Sequence, residues 1–185
     1  MLAKYTFYYF ILVLALVSWW LSKLTISEHT EVNVIPTHSP DYFSYDYLKT
    51  EMDNDGILKS EVRAEKVTHF NSSDEAELDK LIMTIYKPNS PPWVIRSETG
   101  TVPAGGRDVF LNGKVFIDRA KAPGKNEIKI ITSNLRVKPE QDYAETDEWA
   151  DLIMPPNKTS GTGMEVTFSN PIHLKLLANV RGRYE

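Results

Sequence analysis

Histidines and clustered carboxylates are the first places to look for chemistry in this chain. The four histidines, His29, His38, His69 and His173, are scattered, with no H-E-x-x-H pair and no close couple able to share a zinc ion. They read as surface or hydrogen-bonding residues. The segment "EMDNDGILKSEV", 51–62, comes nearest to a calcium loop, with Glu51, Asp53, Asp55 and Gly56 at positions 1, 3, 5 and 6. Val62 stands at position 12, where a bidentate glutamate is needed. "NDG" fits a hairpin better, because Asp-Gly supplies the positive φ of a type I′ turn. "SGTGM", 160–164, has the glycine spacing of a phosphate loop, yet a strand pattern follows it where a helix N-terminus is required. Asp147 and Glu148 read as solvated surface rather than general acid and base. No Ser, His, Asp set stands out. The sequence reads as a binding protein rather than an enzyme, with no cofactor and no metal.

The elements that would have to position a site repeat with a period of two. In "LKSEVRAEKVTHF", Leu58, Ser60, Val62 and Ala64 alternate with Lys59, Glu61, Arg63 and Glu65. Successive strand side chains point to opposite faces, so this is a half-buried strand. The same rhythm groups Phe43, Tyr45 and Tyr47, then Leu81, Met83 and Ile85, then Trp93, Ile95 and Ser97. It continues through Val109, Leu111, Gly113, Val115 and Ile117, through Met164, Val166 and Phe168, and through Ile172, Leu174 and Leu176. Turn signals separate the runs, among them "DNDG" at 53–56, "PNSPP" at 88–92 and "PAGG" at 103–106. Only "ETDEWADLI", 145–153, hints at a helical turn, and "MPP" stops it. Many short, regularly spaced strands predict an all-β sandwich or jelly roll. Its inner faces are apolar, interrupted by the small residues Ser60, Ala64, Ser97 and Gly113. That pattern fits a packed core, and it also fits an apolar groove held open between sheets.

The amino terminus is different. No charged residue occurs from Tyr5 through Ser22, 18 positions. As a helix that run is about 27 Å long at ~1.5 Å per residue, close to a bilayer's hydrocarbon core of roughly 30 Å. Lys4 and Lys23 flank it, with Tyr5, Tyr8 and Tyr9 near one end and Trp19 and Trp20 near the other, as at membrane interfaces. A signal peptide would have a shorter apolar centre and an A-x-A-like site, whereas this run ends in "SWWLSK". The expectation is an uncleaved transmembrane anchor at 1–24, a polar linker at 25–40 and one β domain at 41–185, with the short end inside. All 25 acidic residues and all but two of the 21 basic ones lie beyond residue 24, a net charge of −6. That balance argues against nucleic acid, which calls for a basic stripe. With no cysteine, the fold has no disulfide and rests on its own core.

Beyond the anchor come "PDY" at 40–42, "DGILKSEVRAEKVTHF" with Gly56, Ala64 and His69, and the apolar "LIMTIY". "PPWVIRS" with Trp93, "VFLNGKVFI" with Gly113 and "ITSNLRV" follow, and the chain closes on "GTGMEV" and "NVRGRYE". In this order the sequence resembles the lipopolysaccharide export protein LptC family along nearly its whole length. Leu81 departs from the pattern, since the family usually carries a proline before that strand. The resemblance implies a single-pass inner-membrane protein whose periplasmic part is an antiparallel β-jelly roll, two sheets opening as a V-shaped groove. It implies that lipopolysaccharide arrives from the inner-membrane ABC transporter complex (LptB, LptF, LptG) and passes to the periplasmic carrier LptA. Carried onto this sequence, the lipid-binding positions are Tyr47, Val62, Ala64, Leu78, Met83, Ile85, Trp93, Ile95, Leu111, Val115, Val166, Phe168, Leu174 and Tyr184. Alternation by itself selects most of these as inward-facing; Leu78 and Tyr184 come from the resemblance alone. Leu176 and Val180, on the last strand, are the expected carrier-binding positions, because a closing strand offers unpaired backbone groups to another chain. The rival expectation is a membrane-anchored β scaffold that assembles envelope proteins without binding lipid.

Overall fold

Nine long strands in strict sequence order form a single antiparallel sheet. The structure is a computed structural model and describes residues 2–25, 39–169 and 171–184; in the helix, side chains are described for 8–21. The helix, α1, runs Leu2–Thr25. The strands are β1 (Tyr42–Met52), β2 (Leu58–Phe70), β3 (Glu75–Lys87), β4 (Ser90–Val102), β5 (Val109–Arg119), β6 (Ile128–Lys138), β7 (Tyr143–Met154), β8 (Asn157–Thr167) and β9 (His173–Arg183). The chain divides into two units, residues 1–36 and 37–185.

In α1 the described side chains are exposed throughout. Among the described residues no helix is long and apolar enough to cross a membrane. The side chains of the flanking Lys4 and Lys23, and linker residues 26–38 with His29 and His38, lie outside the described residues.

The sheet bends across the middle of its strands. Asp46, Lys80, Asn134 and Asn179 take left-handed φ angles of 51°, 50°, 49° and 52°, and Gly113 and Gly163 take 68° and 72°. These six residues sit near the centres of β1, β3, β5, β6, β8 and β9. The ladder register shifts beside them, between Leu111 and Lys114, between Thr146 and Trp149 and between Ser160 and Thr162. Such bulges bend a strand and sharpen its twist. Each strand therefore has two halves with a corner between, and each half pairs with the same neighbours.

This corrects the two-sheet expectation. The two layers are the two halves of the same nine strands, so one continuous sheet folds over its own interior. At the corner, where ladder bonds lapse, polar side chains serve the backbone instead. Ser97 Oγ donates to the carbonyls of Thr99 at 2.8 Å and Asn112 at 2.9 Å, Thr132 Oγ1 to Trp149 at 3.0 Å, and Thr146 Oγ1 to Ser133 at 2.8 Å. Gly113 N–H donates to Asn134 Oδ1 at 3.0 Å. Ser97, Thr132 and Thr146 are buried polar residues that would be costly without these bonds.

The corner also explains where alternation misleads. Inward positions run 62, 64, then 67 in β2; 78, then 81, 83, 85 in β3; 130, 132, then 135, 137 in β6. The phase slips by one residue at each bend. In β1, Phe43 and Tyr45 consequently face outward, 62 % exposed each, while Tyr47 packs on the core. The helical hint at 145–153 gives way to β7, whose Ala144, Thr146 and Ala150 are buried against neighbouring strands. "DNDG" belongs to a five-residue loop at 53–57 rather than a two-residue turn. Asp53 Oδ1 accepts from the N–H groups of Asp55 (2.9 Å) and Ile57 (2.8 Å), and Gly56 alone takes positive φ.

At the sheet edge formed by β1 among the described residues, the strand is clasped by His69. Its Nδ1 lies 3.0 Å from Asp41 Oδ1, its Nε2 3.3 Å from Asp74 Oδ1, and its ring stacks on Tyr42 at 4.6 Å. The hydrogen bond to Asp41 raises the histidine pKa above its ordinary 6.5, while His69 lowers that of Asp41. A raised cation pKa stabilises the fold fully below the unfolded value and loses the effect as pH rises through the folded value. Wild type should therefore exceed His69→Gln in melting temperature at about pH 5, with the gap closing above neutral pH. A gap independent of pH would show that the ring's stacking, not its charge, holds the edge.

Candidate functional site

The space between the two halves is filled at one side and open at the other. Inward residues of β3 to β6 are large: Met83, Ile85, Trp93, Ile95, Ile117 and Ile130 are all at most 2 % exposed. Across the interior Trp93 meets Phe168, ring centroids 5.4 Å apart, so side chains from opposite halves touch there. Lys87 Nζ and Asp142 Oδ2, 2.5 Å apart, tie the two halves on that side, and Phe168 N–H donates to Asp142 O at 2.7 Å. Arg119 lies over the Trp93 ring at 4.9 Å and donates to Asn126 O at 3.1 Å; burial lowers its pKa.

Toward β1 and β2 small or polar residues, Lys49, Glu51 and Ser60, share the inward face with Tyr47 and Val62. The space there is not filled as it is around Trp93 and Ile95. A cavity of about 280 Å³ results. Tyr47, Lys49, Glu51, Ser60 and Val62 line it from one half. Val67, Ala76, Leu78, Val102 and Val109 line it from the other, under the loops bearing Gly106–Arg107 and Pro139–Glu140. Its volume is near the lower bound of ligand pockets, roughly 300 Å³. The cavity is apolar at its floor and charged at its rim, an arrangement suited to an amphiphile. Among the described residues no cluster of metal-binding side chains occurs.

The sequence-derived lipid positions divide accordingly. Tyr47, Val62 and Leu78 line the cavity. Ala64, Met83, Ile85, Trp93, Ile95, Leu111, Val115, Val166 and Phe168 are buried in the continuous core. Leu174 packs on that core from β9, and Tyr184 is 74 % exposed just beyond it. Val67, Ala76, Val102 and Val109 line the cavity too and escaped the sequence-derived set; the phase slip in β2 hides Val67. Of the expected carrier-binding pair, Leu176 pairs with Met164 and packs on the core, whereas Val180 falls in the register gap between β8 and β9 and is 55 % exposed.

Such a bent, edge-open antiparallel meander is a known fold. It is shared with the crystal structure of LptH, the LptA-homologous periplasmic component of the lipopolysaccharide transport device from Pseudomonas aeruginosa. The likeness has a TM-score of 0.52 at 13 % identity and covers 68 % of this chain and 94 % of that one. No curated protein matches the sequence. The chain belongs to the lipopolysaccharide-assembly, LptC-related family, whose pattern it matches over residues 8–185.

Proposed function

We propose that this protein binds lipopolysaccharide received from an inner-membrane ABC transporter complex (LptB, LptF, LptG) and passes it to a periplasmic carrier, LptA, docked along β9. Family membership assigns the chain to lipopolysaccharide transport. The single observation supporting lipid binding is the apolar cavity between the sheet halves, opening beside β1 and continuous with the buried interior. Each acyl methylene taken out of water there is worth ~0.8 kcal/mol. Among the described residues β9 has one neighbour, β8, and its other backbone edge is available to pair with a strand of another chain. In this reading α1 anchors the chain in the inner membrane with its β domain in the periplasm, and no catalysis occurs on it.

A second reading, the anchored scaffold without lipid, is favoured by the packed core around Trp93 and Phe168. Photocrosslinking in living cells separates the two. A crosslinkable residue at Tyr47 or Val62 should capture lipopolysaccharide, whereas the scaffold reading gives no lipid adduct at either. Val180→Pro, at an exposed bulge, should weaken carrier capture while adducts at Tyr47 persist. Normal carrier binding by this variant would move the docking edge elsewhere.

A further inference from the structure

The connection between β6 and β7, residues 139–142, reaches across the gap between the two halves of the sheet. It leaves and rejoins the ladder at the pair Lys138 and Tyr143, and its Pro139 and Glu140 line the cavity. Two lysines of the opposite half hold it there. Lys59 Nζ, on β2, donates to Glu140 O at 3.4 Å, and Lys87 Nζ, at the end of β3, lies 2.5 Å from Asp142 Oδ2. Its own half contributes the bond from Phe168 N–H to Asp142 O at 2.7 Å. Asp142 is poorly satisfied in this position. Its φ of 51° is left-handed, and its Oδ1 is buried without a hydrogen-bond partner. That oxygen gains donors from water once the strap lifts. With the strap down the cavity measures about 280 Å³, at the lower end for one drug-sized ligand. A lipid with several acyl chains needs more room.

We propose that residues 139–142 are a lid on the cavity, latched by the Lys87–Asp142 ion pair, and that a multi-chain amphiphile binds only the lid-open form. This rests on the lipid-binding reading above. Opening separates Lys87 from Asp142 and turns the strap about Lys138 and Tyr143, which stay paired. Pro139 and Glu140 then leave the mouth. The latch and the lipid compete within one equilibrium, since the apparent dissociation constant is the intrinsic one divided by the open fraction. A weaker latch therefore raises the association rate and the apparent affinity together, and leaves release from the open form unchanged. Loss of a side chain that touches the lipid would act the other way, chiefly by speeding release.

The test uses the full-length chain in phospholipid nanodiscs and fluorescently labelled lipopolysaccharide, with association and release followed by stopped flow. Lys87→Met should speed association and strengthen apparent affinity by the same factor, about fivefold, with release unchanged. Lys87→Arg keeps the cation and should behave as wild type. Lys129→Gln, which breaks the ion pair with Glu127 away from the lid, should change neither rate. The chain has no cysteine, so Lys87→Cys with Asp142→Cys gives a unique pair for a short, reducible bismaleimide. Closing that bridge should slow association at least about tenfold, and reduction should restore it. The bridged variant decides the matter if Lys87→Met proves too unstable to study. Amide exchange reads the lid with no ligand present: Phe168 N–H should exchange about fivefold faster in Lys87→Met, while the amides of β6 keep their protection. A bridged protein that takes up lipid at the wild-type rate overturns the lid, as does a Lys87→Met protein altered in release alone. Wild type that takes up no lipopolysaccharide removes the lipid-binding reading, and this inference falls with it.

Discussion

Trp93→Ala is expected to lower stability by about 3–5 kcal/mol and the melting temperature by about 10 °C. Trp93 is 1 % exposed and Phe168 fully buried, and their rings form the contact that spans the interior from one half of the sheet to the other. Deleting the indole leaves a cavity that neighbours from two layers would have to close, and β-sheet backbones locked by ladders on both sides relax little. Phe168→Ala should cost a similar amount, and the double variant less than the sum, because the two share one contact. Thermal or urea unfolding of the four proteins decides this. Strict additivity would mean that the halves do not lean on each other there. Phe168→Asp would bury a carboxylate with no partner, so that variant reports on folding before it reports on any ligand.

Gly163→Val is the second large effect, expected to cost about 3 kcal/mol. Part comes from forcing a β-branched residue to a φ of 72°, about 1–2 kcal/mol. The rest comes from crowding, since an added Cβ would stand 2.9 Å from Leu177 Cδ1 and 3.1 Å from Leu177 Cβ. The methyl can swing aside; the Cβ cannot. Gly113 supplies the contrast, with φ of 68° and open space around its missing Cβ. Gly113→Asn should change stability by no more than about 0.5 kcal/mol, because asparagine tolerates left-handed backbone and already fills that role as Asn134 in the adjoining β6 and as Asn179 in β9. Urea midpoints at constant slope are the measurement. A Gly163→Val protein as stable as wild type would show that the bend does not depend on that residue's backbone.

Alternation of side chains made the strands legible, because each strand half obeys it: Val62 and Ala64, Met83 and Ile85, Trp93 and Ile95 are inward as their spacing requires. What alternation could not show is the phase slip between halves. Leu78 and Leu81 face the same interior three positions apart, which no uninterrupted strand allows. The cause is Lys80, whose left-handed conformation nothing in its residue type announces. Asn134 and Asn179 are better signals, since asparagine adopts such angles readily, and their mid-strand positions mark the corner in hindsight. Of the cavity, alternation made one wall legible, through Tyr47, Ser60 and Val62. Its other wall, Val67, Ala76 and Val102, lies beyond the slip and needed the three-dimensional pairing to be found.

Strand order identical to chain order has a kinetic consequence. Every β pairing joins neighbours in sequence, so closing any one of them orders only a short loop. A nine-stranded sheet of this kind has a low contact order for an all-β protein and should fold faster than a Greek-key sandwich of the same size. It can also grow one strand at a time from either end, as repeat proteins do, with each new hairpin adding to a finished edge. Pairing with another chain at β9 would repeat that elementary step, with the next strand supplied from outside.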